Sequence, residues 1–323
     1  MAEASWLLEA NGLKKYFPIT KGIFSRPAGY VKAVDGVSFR IRPGETLGLV
    51  GESGCGKSTT GRMVLHLIRP TEGTVLYKGQ DLGQMGAQQM REIRKRMQMI
   101  FQDPFSSLNP RMTVTEIIGE PLAIHRLSSG REKKERIAEL LELVGLSKRD
   151  MGKYPHQFSG GQRQRIGIAR ALATNPELVV CDEAVSALDV SVQAQVLNLL
   201  KELQERLHLS YLFISHDLNV VKYISDRICV MYLGEIVEEA DSEALFGKPL
   251  HPYTQALFSA VPNPDPMARK ERILLKGEAP SAADLPSGCK FHPRCPKAME
   301  RCKTEAPALR EVASGHQVAC HLY

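Results

Sequence analysis

Apolar and polar positions follow two rhythms along this chain. Short, mostly apolar runs at Thr46-Leu47-Gly48-Leu49-Val50, Leu178-Val179-Val180-Cys181 and Tyr211-Leu212-Phe213-Ile214 read as buried strands. Met97-Gln98-Met99-Ile100-Phe101 and the glycine-bounded Gly73 to Gly79 read as shorter ones. Residues 7–17 predict a first strand ending in Lys14-Lys15-Tyr16-Phe17. Val31 to Ile41 places Val34, Val37, Phe39 and Ile41 on one face, with a slip at Asp35-Gly36 that predicts a turn or bulge. The stretch between them, Pro18 to Gly29, predicts an exposed loop. Ile228 to Tyr232 and Glu235 to Glu239 predict a hairpin.

The second rhythm is helical. Thr60 to Ile68 predicts a helix, and Gln89 to Arg96 a charged one. Arg131 to Val144 puts Ile137, Leu140, Leu141 and Val144 on one face. Val192, Val196, Leu199, Leu200, Leu203 and Leu207 repeat at helical spacing. Strands that alternate with helices predict an α/β fold with a mainly parallel sheet. The first quarter predicts a β-rich lobe, and residues about 103–165 a helical insertion. From residue 247 prolines become frequent and four cysteines follow, so 1–246 is expected to be one domain and 247–323 a small cysteine-containing C-terminal extension. There are no internal repeats.

Composition narrows this only a little. The 323 residues are 43% hydrophobic, enough for a large core. The net charge of +6, from 42 basic and 36 acidic residues, suits anionic partners without demanding nucleic acid. Residues 1–20 lack the apolar region of a signal peptide, and no apolar run approaches a bilayer span. The expectation is a cytosolic chain that needs other chains for any work across a membrane.

Chemistry centres on Gly51-Glu52-Ser53-Gly54-Cys55-Gly56-Lys57-Ser58-Thr59. It lies between a predicted strand and a predicted helix, the setting of a phosphate-binding loop. Glycines let backbone N–H groups face an anion, and the helix N-terminus adds positive potential. Lys57 can reach β- and γ-phosphates, and Ser58 can ligate Mg²⁺. Asp182-Glu183 ends an apolar strand, where one acid can hold Mg²⁺ and the next can activate water. His216 ends another strand, placed to contact a γ-phosphate. Ser159-Gly160-Gly161-Gln162 opens a helix as a second anion site. Two anion sites for one triphosphate predict a head-to-tail pair, each chain closing on its partner's nucleotide.

With these motifs the chain resembles the ATP-binding cassette family of transporter ATPases over residues 7 to about 245. The resemblance implies a P-loop NTPase fold with a RecA-like sheet core, a β-subdomain and a helical insertion. It matches Gly51–Thr59 to Walker A and Leu178–Asp182 to Walker B. Glu183 takes the place of the catalytic carboxylate, with His216 and Lys57 beside it in the chemistry. It implies Gln102 as the Q-loop residue, Ser159–Gln162 as the signature, Ser186-Ala187-Leu188-Asp189 as the D-loop, and Phe17 (with Tyr16 as fallback) as the adenine platform. Mg²⁺ would be held through Ser58, Gln102 and Asp182. Phe158 stands where leucine is usual, and Ala184 where proline often follows the glutamate.

A closer resemblance is to the dipeptide/oligopeptide importer branch. It rests on Phe101 to Pro110, Ala187 to Gln195 and His251-Pro252-Tyr253-Thr254 with the cysteine-bearing tail. Nickel and glutathione importers share much of this pattern. The branch implies an ATP-hydrolysing subunit at the cytoplasmic face of the inner membrane. Its partners would be two transmembrane permease subunits, a second ATPase subunit (a paralogue or another copy) and a solute-binding protein. A soluble cassette acting on nucleic acid or ribosomes is the alternative of another class, for which a second P-loop or sustained heptads would be expected, and neither is present. Cys289, Cys295, Cys302 and Cys320 are separated by five, six and seventeen residues. In a reducing compartment four such thiols suggest a metal before disulfides. The branch implies a [4Fe–4S] cluster, with Zn²⁺ and unligated thiols as alternatives. His292, His316 and His321 are expected to be solvated.

Overall fold

The computed structural model describes residues 6–21, 26–103, 105, 107–260, 273–275 and 277–323. The chain forms two compact units: residues 1–41, 46–83 and 215–323, and residues 42–45 with 84–214.

The first unit opens with β1 (Leu8–Lys21) and β2 (Arg26–Ile41), an antiparallel pair. Their register slips between Leu13 and Lys14, opposite Gly36, whose φ of 96° makes the expected bulge. β3 (Thr46–Val50) is buried at every position and leads through the glycine loop into α1 (Lys57–Val64). β4 (Glu72–Tyr77) and β5 (Gln80–Asp81) complete a four-stranded antiparallel sheet in the order β2-β1-β4-β5. The predicted loop at Pro18 to Gly29 is corrected in its described part: Pro18 pairs with Tyr30 and Ile19 with Gly29, so β1 and β2 run on as paired strands, while residues 22–25 lie outside the described residues. β4 pairs with β1 only as far as Lys14. Pro18 therefore lies on an edge, where a missing N–H is tolerated.

The second unit carries α2 (Ala87–Arg96), β6 (Met97–Ile100), α3 (Val114–Ile124), α4 (Gly130–Leu143), α5 (Gly160–Leu172), β7 (Leu178–Asp182), α6 (Val190–Leu207) and β8 (Ser210–Ser215). β6, β7 and β8 are parallel neighbours, each behind a helix, as the alternating pattern predicts. Thr113 and Glu116 close a capping box at the start of α3. Ile137, Leu140 and Leu141 bury the predicted face of α4.

The chain then returns to the first unit with α7 (Leu218–Ile224), β9 (Arg227–Tyr232), β10 (Glu235–Asp241), α8 (Ser242–Gly247) and α9 (Pro252–Ser259). β9 and β10 form the predicted hairpin, and β9 lies parallel to β3. The tail adds α10 (Glu300–Thr304), β11 (Arg310–Ala313) and β12 (His316–Val318). β12 pairs with β10, so the extension continues this unit's sheet in the order β11-β12-β10-β9-β3.

Candidate functional site

The glycine loop is shaped by close approach as much as by φ. A Cβ on Gly51 would stand 2.1 Å from the Met231 carbonyl oxygen, and one on Gly56 2.1 Å from that of Ala33. Both glycines have positive φ, 155° and 107°. Only glycine lets the loop pass between those strands. Lys57 is 4% exposed and curls back across the loop. Its Nζ donates to the carbonyls of Gly51 at 2.8 Å and Glu52 at 2.9 Å. Cys55 is buried under it, and burial raises its thiol pKa. Ser53 and Gly54 are exposed, while Ser58 and Thr59 lie on the first turn of α1. Phe17 is 38% exposed. Tyr16 is committed elsewhere, since its hydroxyl donates to Asp35. His216 is exposed at the end of β8, ahead of the α7 cap formed by Asp217.

In the second unit the acidic pair ends β7. Asp182 is 4% exposed. Glu183 adopts a left-handed φ of 49°, a strained conformation for a side-chain-bearing residue. Its N–H donates to the Ile214 carbonyl at 2.9 Å, and its carbonyl accepts from the Ser186 hydroxyl at 3.0 Å. Gln102 Nε2 donates to Glu183 Oε2 at 2.8 Å, so two residues found 81 positions apart in the sequence share one hydrogen bond. The predicted Mg²⁺ ligands divide between the units, Ser58 in the first and Gln102 and Asp182 in the second.

Ser159 caps α5 by accepting from the Gln162 N–H at 3.3 Å, while the Gln162 side chain accepts from the Ser159 N–H at 3.0 Å. Both side chains are exposed. A Cβ on Gly161 would meet Val192 Cγ1 at 2.3 Å, which explains a glycine where α5 crosses α6. Phe158 is buried in the position where leucine was expected. Asp189 caps α6 through the Val192 N–H at 2.9 Å, and Gln193 holds the carbonyls of Val185 and Leu188. Ser186, Ala187 and Leu188 are thereby held in a fixed turn before the helix.

The four tail cysteines are free thiols, and Cys289 N–H donates to the Cys302 carbonyl at 2.8 Å. Burial, followed by the nearby thiols, pushes Cys289 up to about 11. Yet among the described residues no group of three or more His, Cys, Asp or Glu side chains converges as a metal site. The expected metal centre is therefore not carried by this geometry. His316 corrects a second expectation: it is buried, with Nε2 2.8 Å from Glu238 Oε1. His292 contacts the Cys289 carbonyl and His321 that of Glu305. Arg294 in this tail donates to Glu52 of the glycine loop, a contact that went unforeseen because nothing local in the sequence marks a pair 242 residues apart.

Residues 34–186 match the family described as ABC transporter, and residues 237–302 the family described as oligopeptide/dipeptide transporter, C-terminal region. The chain is 57% identical over 325 residues to the oligopeptide transport ATP-binding protein AppF of Bacillus subtilis (strain 168), covering 100% of this chain and 99% of that one. It is 52% identical to a probable peptide ABC transporter ATP-binding protein of Sinorhizobium fredii, covering 98% and 90%. Among solved structures it is similar to the ATP-binding cassette MJ0796, a dimer in a post-hydrolysis state bound to ADP and Pi. That likeness has a TM-score of 0.64 and 30% identity, over 73% of this chain and 98% of that one.

Proposed function

This chain belongs to the ATP-binding cassette transporter family, in its oligopeptide/dipeptide branch, and from that premise we propose that it powers peptide import by binding and hydrolysing ATP. It is an ATPase subunit of that family. The observation that carries the catalytic reading is Glu183, an intact carboxylate at a strand end, held by Gln102 at 2.8 Å.

Lys57 gives up the Gly51 and Glu52 carbonyls to take the β- and γ-phosphates, and the loop N–H groups with the α1 N-terminus bind the rest of the anion. Ser58, Gln102 and Asp182 would hold Mg²⁺, which when bound would supply charge neutralisation of the phosphates. Glu183, held by the Gln102 amide, would polarise the attacking water once that hydrogen bond is released. His216 contacts the γ-phosphate, and Phe17 stacks on adenine. Ser159, Gly160, Gly161 and Gln162 close on the nucleotide of a second cassette, a paralogue or another copy, with Ser186 to Asp189 lining that junction. The dimeric state of a 30% identical cassette supports this pairing.

Residues 1–246 act as the nucleotide domain, with 103–165 as the insertion that docks two permease subunits, and 247–323 as the extension. Among the described residues no helix is long and apolar enough to cross a membrane. The work is placed at the cytoplasmic membrane face, with a solute-binding protein delivering peptide. The relatives are named for peptides, which favours peptide over nickel or glutathione. Their names also favour transport over work on nucleic acid. Cys289, Cys295, Cys302 and Cys320 are the residues that would have to draw together to hold a [4Fe–4S] cluster or Zn²⁺, since among the described residues they do not converge as a metal site. Iron, sulfide and zinc analysis of anaerobically purified protein decides between them.

Glu183→Gln tests the catalytic reading. The variant is expected to bind ATP and lose hydrolysis by roughly a hundredfold or more, trapping a closed dimer visible by size exclusion. Turnover at the wild-type rate would remove Glu183 from its role.

A further inference from the structure

Within the first unit, two direct contacts and one relayed contact join the C-terminal extension to the glycine loop. Arg294 lays its guanidinium on Glu52, with Nη1 2.9 Å from Oε2 and Nη2 3.1 Å from Oε1. The arginine side chain is 9% exposed, so this is not a solvated surface pair. Tyr253 Oη accepts from the Glu52 backbone N–H at 2.9 Å. Lys290 Nζ donates to the Leu233 carbonyl at 3.1 Å, and the next residue, Gly234, donates its N–H to the Cys55 carbonyl at 3.0 Å.

The supports of these contacts are themselves fixed. Tyr232, Tyr253 and Phe291 pack ring against ring with centroids 4.7 to 5.5 Å apart. Lys290 is also paired with Asp35 and Glu235, each at 2.9 Å. Arg294 Nη1 lies 3.4 Å from the Tyr232 hydroxyl.

Glu52 is the one carboxylate on the loop from Gly51 to Thr59. Left uncompensated, it would repel a triphosphate bound a few residues away. A bidentate guanidinium both neutralises it and fixes its direction, which a lysine cannot do as well. We propose that Arg294 is a positioning residue for ATP: it clamps Glu52, cancels the loop's one negative charge, and so lets the C-terminal extension set the cassette's affinity for nucleotide. The inference rests on the assignment of ATP to this loop.

The test is an equilibrium titration of the full chain with a fluorescent ATP analogue. Arg294→Gln is expected to weaken binding about tenfold, from the exposed like charge. The double variant Glu52→Gln/Arg294→Gln, with neither charge left, returns to within about threefold of wild type. A merely structural arginine would not be rescued by removing its partner. Arg294→Lys, which keeps the cation and most of the stem, weakens binding about threefold. It serves where the glutamine variant does not fold. Unchanged affinity in both single variants, or a double variant as weak as Arg294→Gln, overturns the inference. A wild-type chain that does not bind ATP overturns the reading beneath it as well.

Discussion

Glu238→Ala removes a carboxylate with no exposure to solvent. Its Oε1 accepts from the Leu250 N–H at 2.7 Å and meets His316 Nε2 at 2.8 Å, while Oε2 accepts from the His251 N–H at 2.9 Å. One side chain on β10 thus ties the start of α9 to β12. Its loss strands two buried backbone donors, at about 1–3 kcal/mol each, and takes the acceptor from a buried imidazole. The missing volume adds a cavity. Together these give a loss of about 4 kcal/mol, the range expected when one partner of a buried pair is deleted. The chain's single tryptophan, Trp6, lies in the same unit and reports on it by fluorescence during urea unfolding. With a slope of about 2.5 kcal/mol/M, the midpoint should fall by about 1.6 M. A loss below about 1 kcal/mol would refute the idea that Glu238 fastens the extension to the sheet.

Lys57→Ala should abolish measurable ATP binding in the same titration used for Arg294, because no other side chain on the loop carries positive charge to the phosphates. Gly161→Ala should lower stability by about 1–3 kcal/mol in thermal melts, since its Cβ would press on Val192 Cγ1 at 2.3 Å. Burial pushes His251 down to about 3, so it stays neutral in the folded chain while the unfolded chain takes up a proton near its ordinary value of 6.5. The unfolded state then binds more protons between those two values, and stability falls with falling pH across that window, by about 1.5 kcal/mol from pH 6.5 to 5. His251→Asn, which can still cap α9, should flatten that part of the pH–stability curve.

The nucleotide motifs were legible because their signals are local. The glycine spacing, the apolar run into Asp182-Glu183 and the helical repeat from Val192 each lie within one element, and the structure places them in those elements. The hairpin around Pro18 was missed because proline and glycine usually mark loops, and only the edge position of β1 beyond Lys14 makes a strand possible there. β11 is exposed at all four positions and shows no alternation, so it gave no strand signal. His316 looked solvated, because its buried partner Glu238 lies 78 residues away. The Arg294–Glu52 clamp spans 242 residues, and a contact at that range leaves no periodicity or spacing to read.

The central claim is that this chain drives a peptide importer, and affinity purification from detergent-solubilised membranes tests it most directly. Mass spectrometry of what copurifies should find stoichiometric polytopic subunits, a second cassette chain and a peptide-binding protein, with peptide stimulating ATP hydrolysis by the assembly. Recovery with ribosomes or DNA, and no polytopic subunit, would contradict the claim and leave only the ATPase chemistry standing.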